Sequence, residues 1–441
     1  MKKSIKKLFY KNFFKLISKI KAELLLSYFS YYLILKKTKN RYRNSVQNEI
    51  NALVIEKGGF DTDLVPLQNS QKINLYLFPE NWLMTVAKSY LDDEMHCQIE
   101  YHFKNDLISL NQKKKLESIF INILKYLQIK LDINVILVKN FDYFEHQDLC
   151  KAAKKINLKI AVIYCESVTT KFSAKSFAEA KSIKNRARFP FDLILVSGPD
   201  GKNLLVENKI CSDDKVVVTG YCRTDVIYNS KNDADKKERN ILILFDFGFE
   251  DLQFYGDEGY GALKLAYSVT KEFGKLSQKF SDKYKFIIKT RTNQDIEKVY
   301  NYLDTFNIKK TDITVTGDLQ METIVKNAKV AIGYNSTTTL ELLGTNIPFV
   351  LPYWFEAKQN SKMGNSFFQP THNPSYIPAE SPEEFRKIII DIVNNNYIDK
   401  NQNNLSKYRE DFIYNSLYYI DGQASKRTFD TLEKLVLQNE K

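Results

Sequence analysis

The amino-acid sequence predicts an α/β fold with two doubly wound domains, preceded by a basic helical arm. A chain of 441 residues is about twice the size that one hydrophobic core usually supports. Short apolar runs alternate with helical patterns along most of the chain, which is typical of βαβ units and parallel sheets. One polar stretch near the middle interrupts this alternation, and we place the boundary between the two domains there.

The positive charge of the chain is confined to its N-terminus. The net charge is +12, and residues 1–43 hold thirteen Lys and Arg against one acid, Glu23. The rest of the chain carries 52 basic and 52 acidic residues. Because nucleic-acid enzymes spread basic residues over a binding face, the balanced body argues against a nucleic-acid partner.

The five cysteines are odd in number and form no CxxC pair, and the four histidines are scattered. This pattern indicates neither a disulfide framework nor a zinc site. We therefore expect a reducing, cytoplasmic compartment, no cofactor and no metal.

The arm, residues 1–45, predicts a basic amphipathic helix on a membrane surface. From Ile5 to Leu24 apolar residues recur at i, i+3, i+4 and i+7, which is one helical face. Five lysines step by four along another face: Lys3, Lys7, Lys11, Lys15 and Lys19. Such a helix suits an anionic headgroup layer, although an ordinary solvated helix packed on the body is the alternative. The next apolar run, Ala22–Leu35, is shorter than the roughly 20 residues that span a bilayer, so it predicts a second membrane-surface helix or a core-docked one.

The first predicted domain covers residues 70–228. Its predicted strands are Ile73–Phe78, Cys97–Phe103, Val135–Val138, Ile160–Tyr164, Leu193–Val196 and Lys215–Val218. Its predicted helices are Lys113–Leu127, Gln147–Ile156, Ala174–Ala187 and Gly201–Asn208. The linker is predicted at residues 229–240, which contain no aliphatic side chain larger than alanine.

The second predicted domain covers residues 241–400, and helices occupy residues 401–441. The predicted strands are Ile241–Phe245, Lys285–Lys289, Asp312–Val315, Lys329–Gly333 and Ile347–Leu351. The predicted helices are Leu263–Phe280, Gln294–Phe306, Met321–Lys326, Thr337–Leu343, Pro382–Asn394 and Ser425–Leu437. Ligands of doubly wound sheets bind beyond the carboxyl ends of the strands, so we expect the site in the loops there.

The segment Gly333–Gly344, GYNSTTTLELLG, predicts a ligand cradle between a strand and a helix. Four polar residues begin the helical pattern, which also carries Glu341: Asn335, Ser336, Thr337 and Thr338. A helix N-terminus offers unpaired N–H groups and a partial positive charge to phosphate oxygens, and hydroxyls add donors. Helix capping is the alternative, but it accounts for one Ser or Thr and not for the whole run.

Two further loops follow predicted strands. Lys289 and Arg291 place two cations at a sheet edge, where both suit phosphate oxygens. Gly220, Arg223 and Asp225 form a Gly-x-x-Arg-x-Asp turn. This turn predicts either a self-paired hinge between the domains or a direct ligand contact.

In the order of these elements the chain resembles the GT-B glycosyltransferases, particularly bacterial surface-polysaccharide and CDP-glycerol glycerophosphotransferase-like enzymes. The family's junction turn is matched by Gly220, Arg223 and Asp225, and its Ser/Thr-rich donor turn by residues 335–338 with Glu341 behind. The resemblance, over roughly residues 73–400, implies a GT-B-like fold in which two Rossmann-type domains face each other across a cleft. It also implies that these residues, with Lys289 and Arg291, bind a nucleotide-activated donor.

One departure from the family lies at the strand that ends in Lys289. Relatives often have Lys-Pro-His-Pro where this chain has Lys-Thr-Arg-Thr, so the family's histidine is absent. The missing histidine counts against glycerol phosphate as the transferred group and against a histidine-based role at this loop.

The resemblance places the acceptor in the first domain, where Asn140–Ser167 is similar to the acceptor half of such enzymes. An inverting transfer needs a carboxylate or a histidine to take the proton of the acceptor hydroxyl. Glu166, just past a predicted strand, is the leading candidate for this catalytic base, and His102 and Glu80 are its rivals. A solvated or helix-capping role is the alternative for a lone carboxylate.

Several other features are weaker signals. Asp233–Asp235 matches the Asp-x-Asp of metal-dependent transferases, but it lies in the predicted linker with no strand before it, so we expect no metal there. The dipole of a helix and the side chains of Arg and Lys would then stabilise the negative charge on the leaving phosphate. The glycines of Gly248–Gly261 would let backbone approach the donor, and Tyr353, Trp354 and Glu356 predict either nucleoside contacts or aromatic packing.

Together these features predict a metal-independent glycosyltransferase of cell-envelope polysaccharide biosynthesis. It would bind a nucleotide-sugar donor and a glycan or lipid-linked acceptor, and residues 1–43 would hold it peripherally on the inner face of a bacterial cell membrane. A nucleotide-sugar 2-epimerase of the same fold is one alternative, and a non-catalytic scaffold in polysaccharide assembly is another.

Overall fold

The computed structural model describes most of the chain. The described residues are 23–38, 50–69, 72–92, 106–141, 143, 146–164, 190–234, 239–246, 263–290, 296–334, 338, 341–342, 344–362, 376–397 and 402–437.

The first domain is built on a six-stranded parallel sheet in the order β2-β1-β3-β4-β5-β6. Its strands are β1 (Ile50–Ile55), β2 (Ile73–Phe78), β3 (Val135–Val138), β4 (Lys159–Tyr164), β5 (Leu193–Val196) and β6 (Val216–Val218). The strands are continuous apolar runs because helices cover both faces of such a sheet. The strand order reverses between β1 and β3, which is where doubly wound sheets bind ligands.

Six helices surround this sheet in the described part of the domain. They are α1 (Glu23–Thr38), α2 (Asp61–Gln68), α3 (Glu80–Lys88), α4 (Leu107–Leu131), α5 (Gln147–Lys155) and α6 (Pro199–Glu207). Helix α4 begins at its N-cap Asp106, whose carboxylate accepts a hydrogen bond from the Ser109 N–H at 3.0 Å. Its buried residues recur at helical spacing from Leu116 to Leu127, so one face of the helix packs on the domain.

Helix α1 is part of this domain and not of a separate arm. Leu26 and Ile34 are fully buried, and the Trp82 indole N–H donates to the Ser30 hydroxyl at 2.8 Å. One face of this helix is therefore docked on the core of the domain, as the core-docked alternative predicted. Among the described helices, none is both long and apolar enough to cross a membrane.

Strand β1 was not identified from the sequence, although it lies inside the sheet. It pairs with β2 on one side and with β3 on the other. The first domain therefore starts before the predicted residue 70. The predicted strand Cys97–Phe103 and helix Ala174–Ala187 lie outside the described residues.

The second domain holds another six-stranded parallel sheet, in the order β12-β11-β10-β7-β8-β9. Its strands are β7 (Ile241–Phe245), β8 (Lys285–Lys289), β9 (Ile313–Thr316), β10 (Ala328–Ile332), β11 (Phe349–Pro352) and β12 (Ile377–Ala379). Its named helices are α8 (Leu263–Phe280), α9 (Ile296–Asp304), α10 (Met321–Asn327), α11 (Glu356–Lys362) and α12 (Pro382–Val393). The strand order reverses between β7 and β10, directly before the predicted cradle.

The predicted linker is partly helical. Helix α7 (Thr224–Ala234) continues through the first six residues of the segment 229–240 and packs against α10 of the second domain. Polar residues without apolar periodicity can continue a helix that has already begun, because each added residue then gains a backbone hydrogen bond. Only the end of the predicted segment is therefore left to connect the domains.

The C-terminal helices α13 (Gln402–Leu417) and α14 (Ala424–Leu437) return to the first domain. The Ser197 hydroxyl donates to the Ser416 carbonyl at 2.9 Å. At Gly198 a Cβ atom would lie 2.4 Å from the Asn415 carbonyl oxygen, so the two backbones approach closely only because this residue is glycine.

Candidate functional site

Lys289 and Thr290 end strand β8 at the carboxyl edge of the second sheet. The Lys289 ammonium donates to the carbonyl oxygens of Gly317 at 3.2 Å and Thr290 at 3.4 Å. Burial lowers the pKa of Lys289, although the charges of Glu341 and Asp318 oppose that shift. The Thr290 hydroxyl is buried and has no hydrogen-bond partner among the described residues. A half-buried cation and, at the next residue, a buried hydroxyl without a described partner thus end this strand.

The predicted cradle follows β10 on the other side of the sheet's reversal point. Thr338 and Glu341 are helical, Thr338 is half-buried, and Glu341 is only 5% exposed. Burial raises the pKa of the Glu341 carboxyl, while the Arg223 cation opposes the rise. At Gly333 a Cβ atom would lie 3.1 Å from the Phe349 ring, so this strand end is crowded by its neighbours.

Arg223 joins the two domains at the floor of this site. Its guanidinium donates to both carboxylate oxygens of Asp63 at 3.0 and 2.5 Å, and to Glu341 at 3.1 Å. Burial lowers the pKa of Arg223, but Asp63, Tyr221 and Glu341 together raise it well above its usual value. One cation is therefore held between a carboxylate of each domain.

The other two residues of the junction turn contact the C-terminal helix. Asp225 accepts hydrogen bonds from the N–H groups of Ala424 at 3.0 Å and Ser425 at 2.8 Å, which are the first two residues of α14. Gly220 has a φ of +86°, and a Cβ atom there would lie 3.1 Å from the Arg427 guanidinium. These contacts favour a hinge over direct donor contact. The predicted self-pairing of the turn is wrong, because Arg223 binds Asp63 and Glu341 while Asp225 binds the start of α14.

A second group of polar side chains lies at the carboxyl edge of the first sheet. Lys57, after β1, forms an ion pair with Glu80, the first residue of α3, and its ammonium lies 4.8 Å from the centroid of the Tyr143 ring. The Tyr143 and His146 rings meet edge to face, with centroids 5.5 Å apart. His146 is fully buried, and burial together with the Lys57 charge lowers its pKa to about 3. Its imidazole is therefore neutral at physiological pH.

Sequence reasoning missed Lys57, Tyr143 and His146. Lys57 follows β1, the strand that was itself missed. Tyr143 and His146 follow β3 inside the segment assigned to the acceptor half, and the loop position was the available signal. Glu80, a rival for the base, is held in the ion pair with Lys57.

Some predicted site residues lie outside the described part of the chain. They are His102, Glu166, Arg291, Asn335, Ser336 and Thr337, together with the loop 248–261 and Asp235. Of the predicted donor-site residues, the structure places Lys289, Thr338, Glu341 and the junction turn.

Tyr353, Trp354 and Glu356 follow β11, and two of them have structural partners. Trp354 is buried, donates from its indole N–H to the Ser268 hydroxyl at 3.2 Å, and packs on Phe385. Glu356 accepts from the first backbone N–H groups of α8 at 2.9 and 3.0 Å. For these two residues the packing alternative fits the structure better than a nucleoside contact.

Comparison with solved structures identifies the fold. The wall teichoic acid polymerase TagF matches with a TM-score of 0.53 at 10% identity, covering 97% of this chain and 98% of its own. A UDP-N-acetylglucosamine 2-epimerase matches with a TM-score of 0.50 at 12% identity, covering 88% and 96%. The S. aureus MnaA structure with UDP matches with a TM-score of 0.48 at 13% identity, covering 88% and 97%. No protein-family model matches the chain, and no curated protein matches it in sequence.

The chain therefore has a GT-B-like fold of two Rossmann-type domains, as the sequence predicted. At 10–12% identity the likeness shows the fold alone. The activity must be argued from the residues at the site.

Proposed function

We propose that this protein is a metal-independent glycosyltransferase. It transfers a sugar or polyol phosphate from a nucleotide-activated donor to a surface-polysaccharide or lipid-linked acceptor. One observation carries the proposal. Lys289 is a half-buried cation at the carboxyl edge of the second sheet, its ammonium is held only by two backbone carbonyls, and no carboxylate among the described residues forms an ion pair with it. A cation in such a position favours a ligand that brings negative charge, as a nucleoside diphosphate does.

The reaction follows from this placement. The acceptor hydroxyl oxygen forms a bond to the donor's anomeric carbon (to phosphorus if a polyol phosphate is transferred) while the bond to the departing nucleotide phosphate breaks. Lys289, Arg291 and the N–H groups at the start of the helix after β10 stabilise the charge that develops on the leaving group. Glu166, or its rival His102, takes the proton of the hydroxyl.

The comparisons support this proposal through fold alone. TagF is described as a wall teichoic acid polymerase, and another structure of this fold as a UDP-N-acetylglucosamine 2-epimerase, so the same architecture serves a nucleotide-linked substrate elsewhere. A nucleotide-sugar 2-epimerase is the second candidate, because an epimerase shares the fold at a TM-score of 0.50. A soluble epimerase has no use for a membrane-binding arm, which favours the transferase.

The arm supports a membrane-bound acceptor. Residues 1–43 carry thirteen Lys and Arg against one acid. The outward face of α1 carries three exposed apolar side chains, Leu25, Tyr28 and Tyr32, spaced i, i+3 and i+7. We propose that this surface lies on anionic lipid at the inner face of the cell membrane and holds the cleft near its acceptor.

A donor panel tests the catalytic proposal. Full-length protein is incubated with CMP-, CDP-, UDP- and GDP-activated sugars, with and without membrane lipid extract. Nucleotide release that depends on the acceptor lipid supports transfer. Conversion of the sugar without acceptor supports epimerisation, and binding without turnover of any donor in the panel supports the scaffold.

Vesicle flotation tests the membrane proposal. A deletion must stop at residue 22, because α1 belongs to the core of the first domain. We expect the full chain to float with vesicles that contain phosphatidylglycerol, and the variant that lacks residues 2–22 to remain in solution. Equal flotation of the two proteins would refute membrane binding by the arm. A variant with glutamine at Lys3, Lys7, Lys11, Lys15 and Lys19 separates the charge contribution from the apolar one.

A further inference from the structure

A cavity of about 410 Å³ lies at the domain junction, and neither Lys289 nor a residue of the predicted cradle is part of its lining. Its walls come from the end of α2, the start of β2, helix α7 and helix α14. We call it the junction cavity, and it is lined by Pro66, Asn69, Lys72, Asp225, Val226, Asn229, Gly422, Ser425, Lys426, Phe429 and Asp430. Its volume lies within the range, roughly 300–1,000 Å³, that small-molecule sites occupy.

The junction cavity is lined by two lysines and two aspartates, and one of the lysines has no ion-pair partner among the described residues. Lys426 is paired with Asp430 at 2.6 Å, and Asp225 is satisfied by two N–H groups of α14. Lys72 forms no ion pair among the described residues, and its ammonium lies 5.6 Å from the centroid of the Phe429 ring. A ligand with a negatively charged group would give Lys72 the ion-pair partner that it lacks among the described residues.

The other residues that line the cavity suit a ligand whose charged group is attached to an organic group. Phe429 and Pro66 are buried side chains that present apolar surface. The side-chain amides of Asn69 and Asn229 form no hydrogen bond with any other described residue, so they are free to donate and accept. The combination of one cation, two amides and an apolar wall fits a small organic anion.

Two elements connect the junction cavity with the donor side of the cleft. Helix α2 contributes Pro66 to the cavity and, three residues earlier, Asp63 to the ion pair with Arg223. Residues three apart lie on the same helical face. The turn after β6 contributes Asp225 to the cavity, while its Arg223 binds Glu341 of the second domain. A displacement of α2 or of this turn would therefore be transmitted to Glu341 through Arg223.

We propose that the junction cavity is a second binding site, for a small organic anion held by Lys72 and packed on Phe429. Its occupancy changes the affinity of the donor site through Asp63, Arg223 and Glu341. This second statement rests on the proposed function, because it requires that nucleotide binds beside Lys289. The binding site itself does not depend on the proposed activity.

Fluorine NMR with 4-fluorophenyl phosphate tests the site on the full-length protein. We expect saturable binding that weakens about fivefold or more in Lys72→Met, the size of effect that loss of one solvent-accessible charge contact produces. Lys125→Met, at an exposed position on α4, is the matched control and should bind like the unmodified protein. Lys72 is exposed, so the variant is expected to fold, and its thermal unfolding is compared with that of the control.

The outcomes separate the two sites. Unchanged probe binding in Lys72→Met, with loss in Lys289→Met, would place the anion at the donor site and overturn the proposal. The coupling is measured as the change in UDP affinity when the probe is saturating, and it must equal the change in probe affinity caused by UDP. UDP that binds equally in both conditions overturns the coupling, whereas UDP that does not bind at all counts against the proposed function and leaves the Lys72 result to decide the site.

Discussion

The side chains of Arg223 and Glu341 form an ion pair across the domain junction, with Nη1 and Oε1 3.1 Å apart. Asp63 binds the same guanidinium from the first domain, and all three side chains are largely buried. A charge in this position is stable only when its partners remain, because burial removes the water that would otherwise solvate it. The ion pairs of Arg223 with Asp63 and Glu341 therefore contribute both to the stability of the protein and to the orientation of its two domains.

Replacing Arg223 by methionine should lower the free energy of unfolding by about 3 kcal/mol, because two buried carboxylates lose their common partner. Urea unfolding measures this change. Arg386→Met is the matched control, since Arg386 of α12 is partly exposed and its buried partner on α8, Glu272, retains Lys275 as a second partner. We expect a cost of about 1 kcal/mol or less for the control.

A double variant tests whether Arg223 and Glu341 act as a pair. Glu341→Gln removes one of the two charges that Arg223→Met leaves uncompensated. The combined loss should therefore be smaller than the sum of the two single losses, by about 1 kcal/mol or more. Strict additivity would show that the ion pair contributes nothing to stability.

Lys289→Met should weaken UDP binding about tenfold or more, because one charge-assisted hydrogen bond to phosphate is lost. Lys285→Met is the matched control, since Lys285 begins the same strand and is exposed at its opposite end. Isothermal titration measures both affinities. Equal affinities in the two variants would remove Lys289 from the donor site.

UDP affinity should also fall at alkaline pH. Burial lowers the pKa of Lys289 below its ordinary 10.5, so its ammonium loses the proton earlier than an exposed lysine does. Binding is strong while the cation is present and weakens as the pH rises through the pKa of the free protein. Titrations between about pH 8 and about pH 10 measure this loss, and Lys289→Met should show a flatter profile over the same range. Identical profiles would contradict the assignment.

His146 should make the protein sensitive to acid. Its pKa is about 3 in the folded protein against an ordinary 6.5, so the unfolded chain binds a proton that the folded one does not. Stability is fully present above the ordinary pKa and is lost as the pH falls from there toward 3. Between pH 7 and pH 5, His146→Leu should lose about 2 kcal/mol less than the unmodified protein in urea unfolding. Parallel losses in the two proteins would contradict the burial of a neutral imidazole.

Asp225→Ala should loosen helix α14, because its first two N–H groups lose their acceptor. The expected cost is about 1 kcal/mol, typical of a lost N-cap. Hydrogen exchange of residues 424–437 measures it, with Asp411→Ala, at an exposed position on α13, as the control. Unchanged exchange in α14 would show that other contacts alone hold the helix.

The sequence predicted the bounds of individual strands and helices better than it predicted which of them pack against each other. The strand Ile73–Phe78 and the helix Leu263–Phe280 were predicted with the bounds that the structure shows. Core docking of residues 23–38 could not be chosen from the sequence, because periodicity reveals an apolar face but not what covers it. At the site, position after a strand was enough to single out Lys289 and Glu341. Position could not reveal that Arg223 binds Glu341, since their separation of 118 residues carries no periodic signal.

The sequence by itself determined the α/β class and the repeated βαβ order, and it is the source of the prediction that a donor cradle follows β10. Each depends on apolar spacing and helix-start chemistry within a few neighbouring residues. The tertiary structure alone decided that Asp225 caps a helix 199 residues away, that Asp63 shares Arg223 with Glu341, and that α1 is a core helix. These contacts depend on how two sheets and a returning C-terminal helix pack, and packing brings together side chains whose distance along the chain is unrelated to their distance in space.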